Sequence, residues 1–115
     1  MRAETLKGHL DLLLLAVLDD GPRHGYAVIE ELRRRSGEAL DLPEGTVYPA
    51  LHRLERAGLL SSKWSDNGGR RRRVYSLTTG GHRAVKEKRV EWQSFAAVVH
   101  AVLGGKGSAA WPSPA

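Results

Sequence analysis

One stretch in the middle of the chain, residues 42–59, constrains the fold more than any other. Its apolar residues follow the i, i+3, i+4, i+7 spacing of an amphipathic helix, at Val47, Ala50, Leu51 and Leu54. Gly58, followed by apolar Leu59, is typical of a glycine-closed helix end. Pro49 is tolerated only within about one turn of the helix start, where its missing N–H removes at most one hydrogen bond. The stretch therefore predicts one helix, packed through one face, that ends at Gly58.

The opposite face of this helix carries side chains that a core does not need, namely Thr46, Tyr48, Pro49, His52, Arg53 and Arg56. Such side chains can contact phosphates and base edges, which predicts a recognition helix. Core packing is the alternative for Tyr48, but its position off the apolar stripe favours a hydrogen bond to a phosphate. For His52, a base contact and an ordinary surface position both remain open.

Positive charge is concentrated around the same helix. The 115-residue chain has a net charge of +5, and residues 44–75, with seven basic and three acidic residues, carry +4 of it. This concentration favours a polyanionic partner, either nucleic acid or an anionic membrane. A membrane surface is disfavoured because the basic cluster lies on a predicted hairpin and not on an amphipathic helix. We therefore predict double-stranded DNA as the partner and no membrane association.

Other classes of function find little support in the sequence. The chain has no cysteine, its five histidines show no HxxxH or HExxH spacing, and there is no Gly-rich phosphate loop. We expect no enzymatic activity, no catalytic residues, no metal site and no cofactor. The apolar run 12–18 is shorter than the roughly 20 residues that span a bilayer and lacks signal-peptide features, so we expect a cytoplasmic protein.

Two helices are predicted ahead of the recognition helix. Residues 10–18 are apolar nearly all round, which indicates burial on several sides, either in the chain's own core or partly against a second subunit. A second helix should run from about residue 24 or 25 to residue 35, with Tyr26, Ile29 and Leu32 on one face. Its final three arginines match the helix dipole, which favours a solvated end over a DNA contact. An extended segment at 39–42 then leads into the recognition helix and completes a helix-turn-helix.

A β-hairpin is predicted next, with strands at 59–65 and 72–77. The Asn-Gly pair between them indicates a tight turn with positive φ at both central positions. The residues expected to face inward are Leu60, Trp64, Tyr75 and Leu77. A hairpin that directly follows a helix-turn-helix is a wing.

Four consecutive arginines, Arg70–Arg73, lie on the returning arm of this wing. A solvated charged strand is one interpretation, but the arginines would then repel one another without compensating acids, which favours contact with nucleic acid. Because alternate strand residues face opposite sides, only two of the four can point at one groove. The narrow minor groove, where the negative potential is deepest, suits arginines at a wing tip.

A long last helix is predicted at 79–103, capped by Thr78 and frayed at Gly80 and Gly81. Its apolar stripe follows a near-heptad spacing, at Val85, Trp92, Phe95, Ala96, Val99, Val102 and Leu103. A finished winged-helix core leaves nothing of the same chain to cover this stripe, and monomers avoid large exposed apolar patches. We therefore predict a homodimer in which this helix packs on the first helix of the other subunit. The predicted interface comprises Leu10, Leu14, Val85, Trp92, Phe95, Ala96, Val99 and Leu103.

The predicted fold is mostly α with a small β-hairpin wing, a winged helix-turn-helix domain plus a long C-terminal dimerisation helix. Residues 1–78 form the DNA-binding domain and residues 79–103 the dimerisation helix. Residues 104–115 are small, Gly/Ser/Pro-rich and aperiodic, so we expect a flexible tail in which Trp111 is incidental.

The chain resembles the PadR family of bacterial transcriptional regulators in four stretches. They are Leu-Asp-Leu-Leu-Leu-Leu at 10–15, Gly-Pro-Arg-His-Gly-Tyr at 21–26, Glu-Gly-Thr-Val-Tyr-Pro-Ala-Leu-His-Arg-Leu-Glu at 44–55, and the hairpin from its Gly-Gly pair to Thr78. The third is the most specific, because Gly-Thr-x-Tyr-Pro-Ala-Leu is not a generic helix-turn-helix pattern. The resemblance covers residues 9–103, and the short C-terminus is similar to that of the smaller subfamily, in which a single last helix makes the dimer.

The resemblance implies a homodimeric repressor that binds a pseudo-palindromic operator. By position, it places Tyr26 beside the phosphate backbone, and on the DNA-facing side of the recognition helix it places Thr46, Tyr48, His52 and Arg53.

In the wing, Arg72 and Arg73 match the family's Arg/Lys pair. The chain departs from the family pattern with Arg70 and Arg71 ahead of that pair, and with Val74 where a second tyrosine is common. The wing should therefore be more basic than usual, and which of its arginines touch DNA stays open.

Trp92 allows two interpretations. The simpler one is a packing anchor in the dimer interface. Some members of the PadR family bind flat aromatic compounds at that interface through tryptophans of the last helices, which implies a small aromatic effector held by Trp92, Leu13 and Val99. For the chain as a whole, the alternative to a sequence-specific DNA-binding regulator is a winged-helix module that binds an acidic protein partner.

Overall fold

The structure of the chain is a computed structural model that describes residue 6 and residues 8–104. Four helices and three strands follow one another within this range as α1 (Leu10–Leu18), β1 (Arg23–His24), α2 (Gly25–Arg35), α3 (Glu44–Arg56), β2 (Leu60–Ser65), β3 (Arg72–Leu77) and α4 (Thr79–Val102). A 3₁₀ turn at Asn67–Gly69 joins β2 to β3. Apart from Gly104, the predicted tail and its Trp111 lie outside the described residues.

Helices α1, α2 and α3 pack around one hydrophobic core, which the sheet and the start of α4 complete. Its buried residues are Leu14, Leu15, Val17, Leu18, Val28, Ile29, Leu32, Val47, Ala50, Leu51, Leu54, Leu60, Tyr75 and Val85. The four apolar positions predicted for one face of α3 are all among them. Leu14 and Val85 are only 0% and 1% exposed, so their placement at a subunit interface requires correction. Both side chains are already enclosed by the core of their own chain.

The start of α3 depends on backbone groups alone. Pro43 is the N-cap residue, and its carbonyl accepts hydrogen bonds from the N–H groups of Thr46 and Val47 at 3.0 and 3.2 Å. Pro49 lies inside the helix, in its second turn, where it cannot donate to the carbonyl of Gly45. The proline is therefore slightly deeper in the helix than expected.

The end of α3 is a Schellman closure. The N–H of Gly58 donates to the carbonyl of Glu55, and the N–H of Leu59 donates to the carbonyl of Leu54, each at 3.0 Å. Gly58 has the positive φ of 82° that this motif requires. The predicted helix end is confirmed.

The three strands form an antiparallel sheet in the order β1-β3-β2. β1 was not predicted, because a two-residue strand carries no periodicity. It pairs Arg23 with Tyr75 and His24 with Val74. Since β1 runs directly into α2, this pairing holds the N-terminus of α2 beside the wing.

The hairpin of β2 and β3 has the predicted strands but a different turn. The positive φ angles fall on Gly68 and Gly69, at 68° and 75°, because a longer loop with a 3₁₀ turn replaces the two-residue connection. At the base of the hairpin Leu60 lies opposite Leu77, and Leu60 is buried. Trp64 is 52% exposed, contrary to the expected inward position, because it lies near the hairpin tip, beyond the reach of the core.

The start of α4 is closely packed. The hydroxyl of Thr78 accepts a hydrogen bond from the N–H of Gly81 at 3.0 Å and donates to the carbonyl of Gly58 at 2.7 Å. The fraying expected at Gly80 and Gly81 is not observed, and Gly81 is buried. A Cβ on Gly81 would lie 2.1 Å from the carbonyl oxygen of Leu59, so only glycine permits this approach.

The chain divides within α4, after Val85, into two compact units. The first holds the core, the helix-turn-helix and the wing. The second holds α4 from Lys86 to Val102. The division lies later in the chain than the boundary expected after Thr78, because the first turns of α4 belong to the core.

Candidate nucleic-acid interface

A concave cavity of about 680 Å³ lies where the N-terminus of α2, the polar face of α3 and the wing meet. Its lining residues are His24, Gly25, Tyr26, Tyr48, His52, Trp64, Arg70, Arg71, Arg72, Arg73 and Tyr75. Five of the seven predicted DNA-contact residues line it: Tyr26, Tyr48, His52, Arg72 and Arg73. Its lining combines four arginines with aromatic side chains, and no acidic residue takes part.

Tyr48 lies against the backbone of Gly25. A Cβ on Gly25 would fall 2.3 to 2.8 Å from the ring and hydroxyl of Tyr48, so the glycine makes room for the tyrosine. Burial, followed by the charge of Glu44, raises the pKa of Tyr48. The hydroxyl therefore stays protonated at neutral pH and can donate a hydrogen bond to an anion. Tyr48 also packs against the core, as the alternative interpretation expected, and its contact with a phosphate stays a prediction.

Tyr26 is on the outside of α2 and, contrary to expectation, does not share the buried face of Ile29 and Leu32. It is 52% exposed, whereas the buried positions of this helix are Gly25, Val28, Ile29 and Leu32. A hydrogen bond with Glu30 raises the pKa of Tyr26. The tyrosine is thus excluded from the core and lines the cavity.

His24 was not identified from the sequence, although it connects α2 to the wing. Its Nδ1 accepts a hydrogen bond from the N–H of Ala27 at 3.2 Å and so caps α2. Its Nε2 lies 2.9 Å from Nη1 of Arg72. The two contacts require different neutral tautomers, so the ring can accept only one of these hydrogen bonds at a time. Burial and then the charge of Arg72 lower the pKa of His24.

Arg73 is tied to the end of α3. Its Nε donates to Oγ of Ser62 at 2.9 Å, and that hydroxyl donates to Oε2 of Glu55 at 2.7 Å. The guanidinium also lies 3.8 Å from the Glu55 carboxylate. Hydrogen bonds from Arg73 through Ser62 to Glu55 therefore join the wing to α3. No sequence pattern had identified Ser62 or Glu55.

Two of the wing arginines lie over the indole of Trp64. The guanidinium carbons of Arg71 and Arg73 are 4.7 and 5.3 Å from the ring centroid. Both distances are within the range of cation–π attraction. No ion pair is formed by Arg70, Arg71 or Arg72 within residues 8–104, in contrast to Arg73.

Arg53 and Thr46, the other two predicted contact residues, do not line the cavity. The guanidinium of Arg53 forms two hydrogen bonds to the carboxylate of Asp11, at 3.0 and 2.9 Å. This pair raises the pKa of Arg53 and braces α1 against α3. A contact of Arg53 with DNA would have to compete with this ion pair. Thr46 is half-buried on the first turn of α3.

The arginine run at the end of α2 is paired within its own helix. Glu31 accepts hydrogen bonds from Arg34 and Arg35, which lower the pKa of Glu31 to about 2. Arg35 also pairs with Asp20, and Arg33 with Glu30. These ion pairs agree with the predicted solvated end.

In the second unit, α4 exposes a run of large apolar side chains, at Val90, Trp92, Phe95, Val98 and Val102, with Leu103 directly after the helix. The rings of Trp92 and Phe95 are 6.3 Å apart at their centroids. Ala96 and Val99 are half-buried. In the first unit, Leu10 and Leu13 of α1 are partly exposed.

Two kinds of site are absent from the residues that the structure describes. None of the helices that can be described is long and apolar enough to cross a bilayer. Over the same residues, histidine, aspartate and glutamate side chains nowhere gather into a group that could hold a metal ion.

The chain is similar in sequence to known transcriptional regulators. Residues 14–87 match the model of the transcriptional regulator PadR-like family. Over 87 residues, 76% of either chain, the protein is 40% identical to the transcriptional regulator Rv3488 of Mycobacterium tuberculosis.

Solved structures are similar as well. A PadR family regulator from hypervirulent Clostridium difficile superposes with a TM-score of 0.76 and 33% identity over 84% of this chain and 100% of that one. A transcriptional regulator from Clostridium thermocellum gives 0.79 and 28% over 88% and 96%. The four helices and three-stranded sheet have the winged-helix fold of these proteins, which confirms the predicted fold. The chain belongs to the PadR-like family of transcriptional regulators, which bind DNA and are not enzymes.

Proposed function

We propose that the protein is a homodimeric repressor that binds a pseudo-palindromic operator. The observation that carries this proposal is the cavity in which the polar face of α3, the N-terminus of α2 and four wing arginines converge. A duplex carries closely spaced phosphates beside base edges, and these two kinds of group match the two kinds of side chain in the cavity.

On this proposal, α3 enters the major groove and the wing follows the adjacent backbone and minor groove. Tyr48 and Tyr26 donate hydrogen bonds to phosphates, and His52 and Thr46 face base edges. Arg72 is the wing arginine best placed for a phosphate, because its contact with His24 competes with the α2 cap and holds it weakly. Arg73 contributes from a fixed position, tied to Glu55 through Ser62.

The dimer is supported by the apolar run on α4. Phe95 is 55% exposed and Val102 78%, next to an exposed Trp92. Side chains of this size are seldom left in water as a group, and a second copy of the same helix would cover them. Two recognition helices would then read half-sites about 10 bp apart, or a multiple of that spacing. In this arrangement the first unit reads DNA, and α4 from Lys86 onward holds the dimer.

Selection of bound duplexes from a random pool tests the proposal. We expect an enriched sequence with two-fold symmetry, a symmetric footprint on it and a dimer by sedimentation at micromolar concentration. Binding should weaken steeply with salt, because phosphate contacts release counterions. A mixed-sequence duplex is the control. Equal, weak binding to both duplexes would instead indicate a winged-helix module for an acidic protein partner.

Repression, rather than activation, is tested by transcription from a promoter that carries the selected duplex. We expect lower transcript levels when the protein is present. Higher levels would make the protein an activator and would leave the DNA-binding part of the proposal intact. Because the proposed binding partner of the protein is chromosomal DNA, the proposal includes a cytoplasmic location.

A second part of the proposal concerns a small aromatic effector. Trp92 and Phe95 present two aromatic rings 6.3 Å apart on an exposed stretch of α4, and a flat apolar molecule could stack on them in the dimer. The test uses a protein with Trp64→Phe and Trp111→Phe, so that Trp92 is the only indole. Planar aromatic compounds should quench its fluorescence and release DNA. No quenching would leave Trp92 as an interface residue only, and quenching without release would show a bound ligand that is not an effector.

A further inference from the structure

The four wing arginines are not equivalent. Arg72 contacts His24 at the start of α2, and Arg73 is tied through Ser62 to Glu55 on α3. Arg71 lies over the ring of Trp64, and the described residues offer it no carboxylate partner. The position of Arg71 therefore depends on Trp64 more than on any other side chain.

Trp64 connects a fixed arginine to an unfixed one. It lies directly opposite Arg73 in the β2–β3 register, and the Arg73 guanidinium is 5.3 Å from its ring. Because Arg73 is held by Ser62 and Glu55, its side chain offers the indole a fixed neighbour. The guanidinium of Arg71, 4.7 Å from the same ring, then has a defined surface to rest on.

We propose that Trp64 is a positioning residue of the DNA interface, whose indole holds Arg71 beside Arg73 in the geometry that meets the phosphate backbone. This inference rests on the proposed DNA-binding function. Its physical reason is entropy: an exposed arginine samples many rotamers, and fixing it on binding weakens the complex. A guanidinium already resting on an aromatic face loses less freedom when it meets a phosphate.

The exposure of Trp64 argues against a mainly structural role. Its side chain is 52% exposed, and its neighbour two places along the strand, Ser62, is directed into the polar chain to Glu55 and not into the core. A large aromatic residue in this position contributes little buried apolar area, while its ring lines the cavity together with four arginines.

The test compares Trp64→Leu, which removes the aromatic face, with Trp64→Phe, which retains one. The probe is the duplex that the wild-type protein selects from a random pool. We expect Trp64→Leu to weaken binding about three- to tenfold, the range of one or two exposed cation–π contacts, and Trp64→Phe to retain most of the affinity. Thermal unfolding should show both variants folded, and Trp64→Met serves in place of the leucine variant if that one melts early.

A double-mutant cycle with Arg71→Gln separates positioning from packing. If Trp64 acts through Arg71, the loss caused by Trp64→Leu should shrink to less than about twofold in the Arg71→Gln protein. An undiminished loss in that background, wild-type affinity of Trp64→Leu, or equal losses for leucine and phenylalanine would each overturn the inference. A wild-type protein that selects no duplex would instead overturn the proposed function itself.

Discussion

The candidate nucleic-acid interface and the part of α4 beyond Val85 differ in how their side chains are partnered. In the candidate interface, polar side chains find partners within one chain, as Arg73 does with Ser62 and Glu55. On α4 beyond Val85, large apolar side chains such as Phe95 remain exposed. The polar contacts of the first region are therefore made within one chain, whereas the described residues leave the apolar side chains of the second region uncovered.

The two regions should therefore respond differently to amino-acid substitutions. A surface organised by ion pairs and hydrogen bonds loses affinity in small steps, because each exposed polar contact contributes little alone. An interface formed by apolar burial is lost as a unit when a charge enters it. Four variants break or sharpen this contrast.

The largest effect is expected from Phe95→Glu on α4. A carboxylate in the proposed interface would be buried without a partner, so the dimer should dissociate. A monomer would contact only one half-site. Its affinity for the selected duplex should fall at least about 100-fold, since bivalent attachment raises affinity by about 10²–10⁴. Sedimentation and DNA-binding titrations measure both changes.

Gln93→Glu is the matched control, because Gln93 is exposed on the same helix and receives the same charge. It should remain dimeric and bind DNA almost as the wild type does. A Phe95→Glu protein that still sediments as a dimer would refute the α4 interface.

Gly81→Ala tests whether the first unit is as tightly closed as the contrast requires. The new Cβ would lie 2.1 Å from the carbonyl oxygen of Leu59, a backbone atom that cannot turn away. We expect the free energy of unfolding to fall by about 1–3 kcal/mol, the usual effect of overpacking. Urea or thermal unfolding measures it.

The neighbouring Gly80→Ala is the control, since its Cβ would meet nothing closer than 3.6 Å. Alanine there should be neutral or stabilise the protein by up to about 1 kcal/mol through helix propensity. Equal destabilisation by both alanines would mean that the close approach at Gly81 is not a real constraint.

A smaller effect is expected for Arg72→Gln in the wing. Removing one phosphate contact should weaken binding about three- to tenfold on every duplex and lower the slope of log K against log salt by about 1. Titrations at several salt concentrations give both numbers. Arg34→Gln is the control, because Arg34 pairs with Glu31 on α2 and lies outside the cavity. An identical slope for Arg72→Gln and the wild type would remove Arg72 from the interface.

The smallest effect is a dependence of stability on pH through His24. Its pKa is lowered in the folded state by burial and by Arg72, so the folded protein binds this proton less well than the unfolded chain does. The contribution of His24 is therefore complete above pH 6.5, its unperturbed pKa, and is lost as pH falls below that value. The loss should not exceed about 1 kcal/mol, the usual contribution of an N-cap bond.

His24→Asn isolates this effect, because asparagine can still cap α2 but does not titrate. Its unfolding free energy should change less than that of the wild type between pH 7.5 and 5. Parallel pH profiles for the two proteins would contradict the assignment of the cap to neutral His24.

Much of the fold could be read from local patterns. The face of α3, the glycine that closes it, the Thr78 cap and both strands of the wing follow from spacing and turn chemistry within a few residues. Errors arose where position in the fold mattered. Trp64 has the alternation of an inward residue but lies past the core, and Leu14 belongs to an all-round apolar helix whose buried side is its own chain's core.

By itself, the sequence determined the helix-turn-helix, the wing and the site of the positive charge, because periodicity and charge are written along the chain. Only the tertiary structure decided how the arginines are distributed: Arg53 to Asp11, Arg73 to Glu55, Arg71 to Trp64. These side chains come into contact only after the core has formed. Since α1, α3 and the wing come together only through core packing, no local pattern could have named them.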